Sequence, residues 1–172
     1  MDECERLWFA DSGVINTNGG EAENNDKRGF ILIKHFLINF AGKPTIVQRP
    51  SIWVIDLKTD NILSRYEIPE SVASSGSGFA SLTIDNDANC QGESFAYLPD
   101  LVSSQIVVYN LKENKSYRVE HNYFHMHPLE GFYDIDGLKF SWNDAIFSIA
   151  LSGREKNSPY RLAYFHPMSR FD

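Results

Sequence analysis

The chain has little that would tie it to a membrane, a nucleic acid or a metal. None of its apolar runs reaches the roughly 18 residues that cross a bilayer as a helix. No long basic run occurs and the formal net charge is −7, so no nucleic acid is expected as a partner. There are two cysteines, Cys4 and Cys90, in 172 residues. Two are too few to fix a redox compartment, and the sequence alone suits a disulfide and a pair of buried thiols equally. No G-x-S-x-G elbow and no glycine-rich phosphate loop is present, and no motif pairs a cysteine with a histidine. Of the five histidines (His35, His121, His125, His127 and His166), His125 and His127 could hold a metal from one face of a strand. No third ligand is evident and Pro128 follows at once. The histidines are read as surface or packing residues, and neither a metal nor a cofactor is expected. Met1 is followed directly by Asp2-Glu3-Cys4-Glu5-Arg6, which has neither the n-region nor the h-region of a secretory leader.

What the chain does have is 42% hydrophobic and 13% aromatic residues, enough for a core, arranged as short runs between turn formers. Phe95 to Leu98, Ile106 to Tyr109 and Ser116 to His121 are such runs. Pro99-Asp100 breaks the first, and Lys112-Glu113-Asn114-Lys115 makes a polar turn between the other two. This reads as a strand, a loop and a β-hairpin. The unit recurs. Ile52 to Asp60 matches Ile106 to Asn114 at an offset of 54. Leu7 to Asp11 matches Ala96 to Asp100, and Leu162 to His166 continues the series. Ser81 to Asp85 matches Ser148 to Ser152 at an offset of 67. Several strands recurring in one order distinguish this from chance likeness between apolar strands. The pattern predicts an all-β chain with almost no helix, made of two to three blades of a β-propeller, which usually has four to eight.

In chain order, strands are expected at 6–10, at 51–57 and 62–68 as a hairpin, at 79–85, at 138–142 and 146–151 around Asn143-Asp144, and at 160–166. Ser71 to Gly78 reads as a flexible loop, and His125 to Asp136 as an aromatic connection. Asp11, Asp100 and Asp144 stand at strand ends, where capping a turn is the favoured role over facing a channel. Asn114-Lys115-Ser116 is an N-glycosylation triplet on an expected hairpin turn.

Longer motifs carry a resemblance. Asp2-Glu3-Cys4-Glu5-Arg6-Leu7-Trp8, continued by Asp11-Ser12-Gly13, resembles a signature of the insect yellow and major royal jelly protein family, and yellow proteins most of all. Gln48-Arg49-Pro50-Ser51-Ile52-Trp53, Arg65 to Pro69, Phe95 to Asp100, His121 to Phe124, Phe147 to Ser152 and Ala163 to Met168 are similar to it as well. The resemblance implies a secreted six-bladed propeller at least twice this long, with leader, first blade and closing blades outside the chain. It implies a role in cuticle pigmentation and melanin formation through binding of a small catechol or biogenic amine. A dopachrome-converting isomerase and a structural or storage protein are the alternatives. Whether the chain is catalytic stays open, and no ligand-binding residue carries over. In the family the residue matching Cys4 pairs with a cysteine further upstream, so Cys4 and Cys90 are expected not to pair with each other. The family often has Asp-Gly where this chain has Asp144-Ala145, and a positive φ there would strain alanine.

Residues 20–41 fit neither the repeat nor the family. Trp8 to Tyr97 is 89 residues and Tyr97 to Tyr164 is 67, an excess of 22. Gly20-Glu21 can be encoded as GGT-GAG, which holds a splice-donor sequence. Phe40-Ala41-Gly42 can be encoded as TTT-GCA-GGN, which holds an acceptor. Cutting there removes 22 codons in frame and rebuilds one glycine. The run from Phe30 to Phe40, FILIKHFLINF, is periodic as neither helix nor half-buried strand. The segment is expected to be a translated intron.

Overall fold

The computed structural model describes residues 1–16, 44–87, 90, 92–125, 129, 131–141, 145–154 and 161–167. They form antiparallel strands with no α-helix among them; Asn122–Phe124 makes one 3-10 turn. The strands are β1 (Arg6–Asp11), β2 (Val14–Asn16), β3 (Pro44–Ile46), β4 (Ser51–Asp56), β5 (Ile62–Glu67), β6 (Thr83–Asn86), β7 (Ser94–Asp100), β8 (Gln105–Asn110), β9 (Lys115–Glu120), β10 (Phe132–Ile135), β11 (Leu138–Ser141), β12 (Ile146–Leu151) and β13 (Ala163–Pro167).

The sheets follow the repeat. The complete unit is β6-β7-β8-β9; before it comes β1-β4-β5 and after it β12-β13. Trp8 lies opposite Val54 in the first sheet, and Tyr97 opposite Val108 in the second. Thus β1 and β4 repeat β7 and β8 in register. Among the described residues nothing in the first sheet corresponds to β6, and β1 pairs on one side only, with β4.

Strand β8 shows why the sheets stack. All six of its residues are buried. Val107 and Tyr109 point to one side, where Trp8, Ile52, Val54, Ala96 and Leu98 complete a core with the first sheet. Ile106 and Val108 point to the other side and meet Phe124, Ile146 and Ile149. A strand of a half-exposed sheet alternates apolar with polar residues. A strand buried on both faces reads as the continuous run Ile106 to Tyr109. Consecutive sheets each burying a face of the next are blades of a propeller.

Several expectations change. Residues 132–135, read as part of a connection, are strand β10. It pairs with β11, and β12 pairs with β13; the strands expected at 138–142 and 146–151 are present as β11 and β12. The β10–β11 turn is Asp136-Gly137, with φ of 52° and 84°. That dipeptide is the strongest short hairpin signal a sequence carries. The short pair β2–β3 was equally unforeseen. Residues 71–78 are not a loose linker: Val72 and Ala73 enter the core, and Ser77 is buried. Gly13 (φ 69°) takes the left-handed turn after β1, and a Cβ there would lie 2.2 Å from the Gln48 carbonyl oxygen. Ala145 is buried and is not among the residues of positive φ, so the strain anticipated beside Asp144 does not arise.

Candidate functional site

Short polar side chains fasten the sheets at one end. Asp2 is the hub. Its Oδ1 accepts from the amides of Cys4 and Arg6, both at 2.9 Å, and its Oδ2 from Arg6 Nε and Trp8 Nε1, both at 2.8 Å. Burial alone would raise the Asp2 carboxyl. The hydrogen bonds from the Arg6 amide and the Trp8 indole, with the Arg6 charge, outweigh it and hold the group below its ordinary value. Arg6 Nη2 reaches on to Asn86 Oδ1 at 2.7 Å and Ser94 Oγ at 3.0 Å, and Asn86 Nδ2 donates to Glu3 at 2.8 Å.

These contacts lay the N-terminal turn against the loop between β6 and β7, and there the structure joins Cys4 to Cys90, with Cα atoms 5.7 Å apart. This corrects the expectation that the two cysteines do not pair. The Asp2 and Arg6 side chains of the signature deliver Cys4 to the second sheet, not to an upstream partner. The bridge closes 86 residues of chain, worth about 4.5 kcal/mol in the chain-entropy account.

Beyond Asn86 the network continues into a cleft between the second sheet and β12–β13. Asp85 Oδ1 accepts from Arg154 Nη2 at 2.6 Å and Arg161 Nη1 at 2.9 Å; Arg154 also donates to the Asn86 carbonyl, and Arg161 Nε to that of Ser152. Two guanidiniums therefore compensate one carboxylate at the cleft mouth. Behind them lie Tyr97, Ile149, Phe124 and Phe165, around about 360 Å³. The Phe124 and Phe165 rings are tilted at 5.6 Å between centroids. Burial pushes the Tyr97 hydroxyl up, so at neutral pH it is a hydrogen-bond donor. The lining thus combines an apolar, partly aromatic wall with a charged pair, Asp85 and Arg161. A larger concavity of about 570 Å³ lies between the N-terminal residues with Trp8 and the start of β6, at Leu82, Thr83 and Ile84.

The residues singled out in the sequence fall elsewhere. Asp11 accepts from the Gly13 amide and Gln48 Nε2, and Asp100 from the amides of Gly78 and Val102, Ser77 Oγ and Gln105 Nε2. Both cap turns at equivalent strand ends. His121 Nδ1 accepts from the Tyr123 amide and caps the 3-10 turn. Asn114 is exposed at the β8–β9 turn. Asp144, His35 and His127 lie outside the described residues, as do residues 20–41. Asp85, Tyr97, Arg154 and Arg161 were not picked out. Arg154 lies in a polar stretch and Arg161 in the strand expected at 160–166, which begins only at Ala163; neither belongs to a motif, and what brings them to Asp85 is the pairing of β12 with β13.

The family model for major royal jelly protein matches residues 36–172. L-dopachrome tautomerase yellow-f of Drosophila melanogaster is 38% identical over 169 residues, which cover 98% of this chain and 34% of that protein. Dopaminechrome tautomerase of the same fly is 28% identical over 171 residues, 99% of this chain and 32% of that one. Protein yellow of Drosophila melanogaster is 29% identical over 172 residues, with coverage of 98% and 27%. The chain thus spans about a third of the length of these curated relatives. With its stacked antiparallel blades and a match over most of its length, the chain belongs to the major royal jelly protein family, on its yellow side.

Proposed function

We propose that the protein containing this chain is extracellular and binds a catechol-derived small molecule, an aminochrome or a biogenic amine, in the service of pigment formation. The observation that carries this is the likeness to two proteins whose names specify aminochromes, each aligned over nearly all of this chain. The cleft lined by Asp85, Arg161, Tyr97, Phe124 and Phe165 supports it. The Cys4–Cys90 bridge supports an oxidising compartment.

The names of those relatives also favour a second reading, tautomerisation of the bound aminochrome. That reaction moves a proton from ring carbon to oxygen and needs a base and an acid in reach of the ring. In the cleft Tyr97 can serve an oxygen, and no residue is assigned as the base. The test uses the full-length protein. Binding of dopachrome and dopamine is followed by calorimetry, and turnover by loss of the aminochrome colour. Saturable binding without turnover is the expected result, turnover establishes the second reading, and neither overturns both. Tyr97→Phe should weaken binding about fivefold, the worth of one hydrogen bond.

A further inference from the structure

The β8–β9 turn carries the sole Asn-x-Ser/Thr triplet in the 172 residues, and its geometry bears on what that asparagine can do. Asn114 is exposed and takes the left-handed conformation, φ 52°. Its Oδ1 is occupied: Tyr109 Oη donates to it at 3.0 Å. Tyr109 is fully buried, and Ser64 Oγ of the first sheet lies 2.9 Å from the same hydroxyl. The chain Ser64–Tyr109–Asn114 fixes the plane of the carboxamide. With the oxygen turned inward to Tyr109, the nitrogen points away from the core.

The left-handed turn alone asks only for a residue that tolerates positive φ. In the first sheet Asp60 fills the equivalent place at φ 57°, and the residue two further on is Ile62. Only in the second sheet is the turn residue a carboxamide, followed at that spacing by the hydroxyl of Ser116. That hydroxyl lies 3.0 Å from Tyr66 Oη, and Tyr66 also accepts from the Ser116 amide at 3.1 Å. Both triplet side chains are thus anchored in the seam between two sheets while the reactive nitrogen stays outside.

We infer that Asn114 carries an N-linked glycan on Nδ2. The sugar sits at the start of β9, the edge strand of the complete sheet, and blunts that edge against pairing with another chain. The inference rests on the extracellular part of the proposed function and not on the ligand.

The test expresses the full-length protein behind a cleavable leader in insect cells and reads lysate and medium together. Digestion with a peptide N-glycosidase should convert Asn114 to aspartate in the peptide map and give a mobility step for that site. Asn114→Gln and Ser116→Ala should abolish the step, and Ser116→Thr should keep it. A leader-cleaved wild-type chain with unmodified Asn114 overturns the inference. Aminochrome binding is measured separately, so the two proposals fail independently.

Discussion

Asp2 shows how one side chain can satisfy four donors. Two backbone amides converge on one oxygen, and a guanidinium and an indole on the other. Asparagine could keep its oxygen on one side only and would turn an NH2 group toward the remaining two donors. Asp2→Asn in the full-length protein should therefore cost about 2–4 kcal/mol, as lowered denaturant midpoints would show. The same carboxylate makes stability depend on acid. Its folded pKa lies below the unfolded one, so its contribution is complete above the unfolded value, near pH 4, and is lost as the pH falls through the folded value. Melts of the wild-type protein should weaken below about pH 4, and Asp2→Asn should flatten that slope.

At the scale of elements, the β2–β3 pair gives residues 20–41 a place. Asn16 pairs with Pro44, so the chain leaves and returns at one point. Removing 20–41 leaves Thr17-Asn18-Gly19-Gly42-Lys43, an ordinary hairpin loop. Closing the shorter loop costs about 1.5 kcal/mol less. The full-length protein without these residues should be as stable as the parent or slightly more so, and the abundant transcript should lack their codons. A marked loss of stability, with a sole mature message that retains them, would end the intron reading. How much was legible follows from which elements repeat. Strands β1, β4, β5, β7, β8 and β9 were visible because each has a copy and packs an apolar face against the next sheet. Strand β11 was foreseen within 138–142; β2, β3 and β10 have no copies, and of these only β10 has a marker, the Asp136-Gly137 turn that follows it. The cleft was illegible because Asp85 and Arg161 meet across 76 residues of sequence. Nothing local marks either.

For the molecule as a whole, the stacking that explains β8 leaves both ends of this chain uncovered. Leu7 and Phe9 are 38% exposed on the outer face of the first sheet, and Tyr164 is 58% exposed on β13. Among the described residues β1 of that sheet pairs on one side only. The isolated 172 residues should therefore aggregate or stay non-native where the full-length protein melts cooperatively, and a monomeric cooperative melt of the chain alone would contradict this. The bridge between Cys4 and Cys90 has a different consequence, for damage to the backbone. It anchors the N-terminal turn to a sheet that begins about eighty residues later. A protease that cuts after Lys27 or Arg28 severs β1 from β4 in the chain, yet the released piece stays covalently attached. Nicked protein should run as one species until a reductant is added, and then shed a small N-terminal peptide.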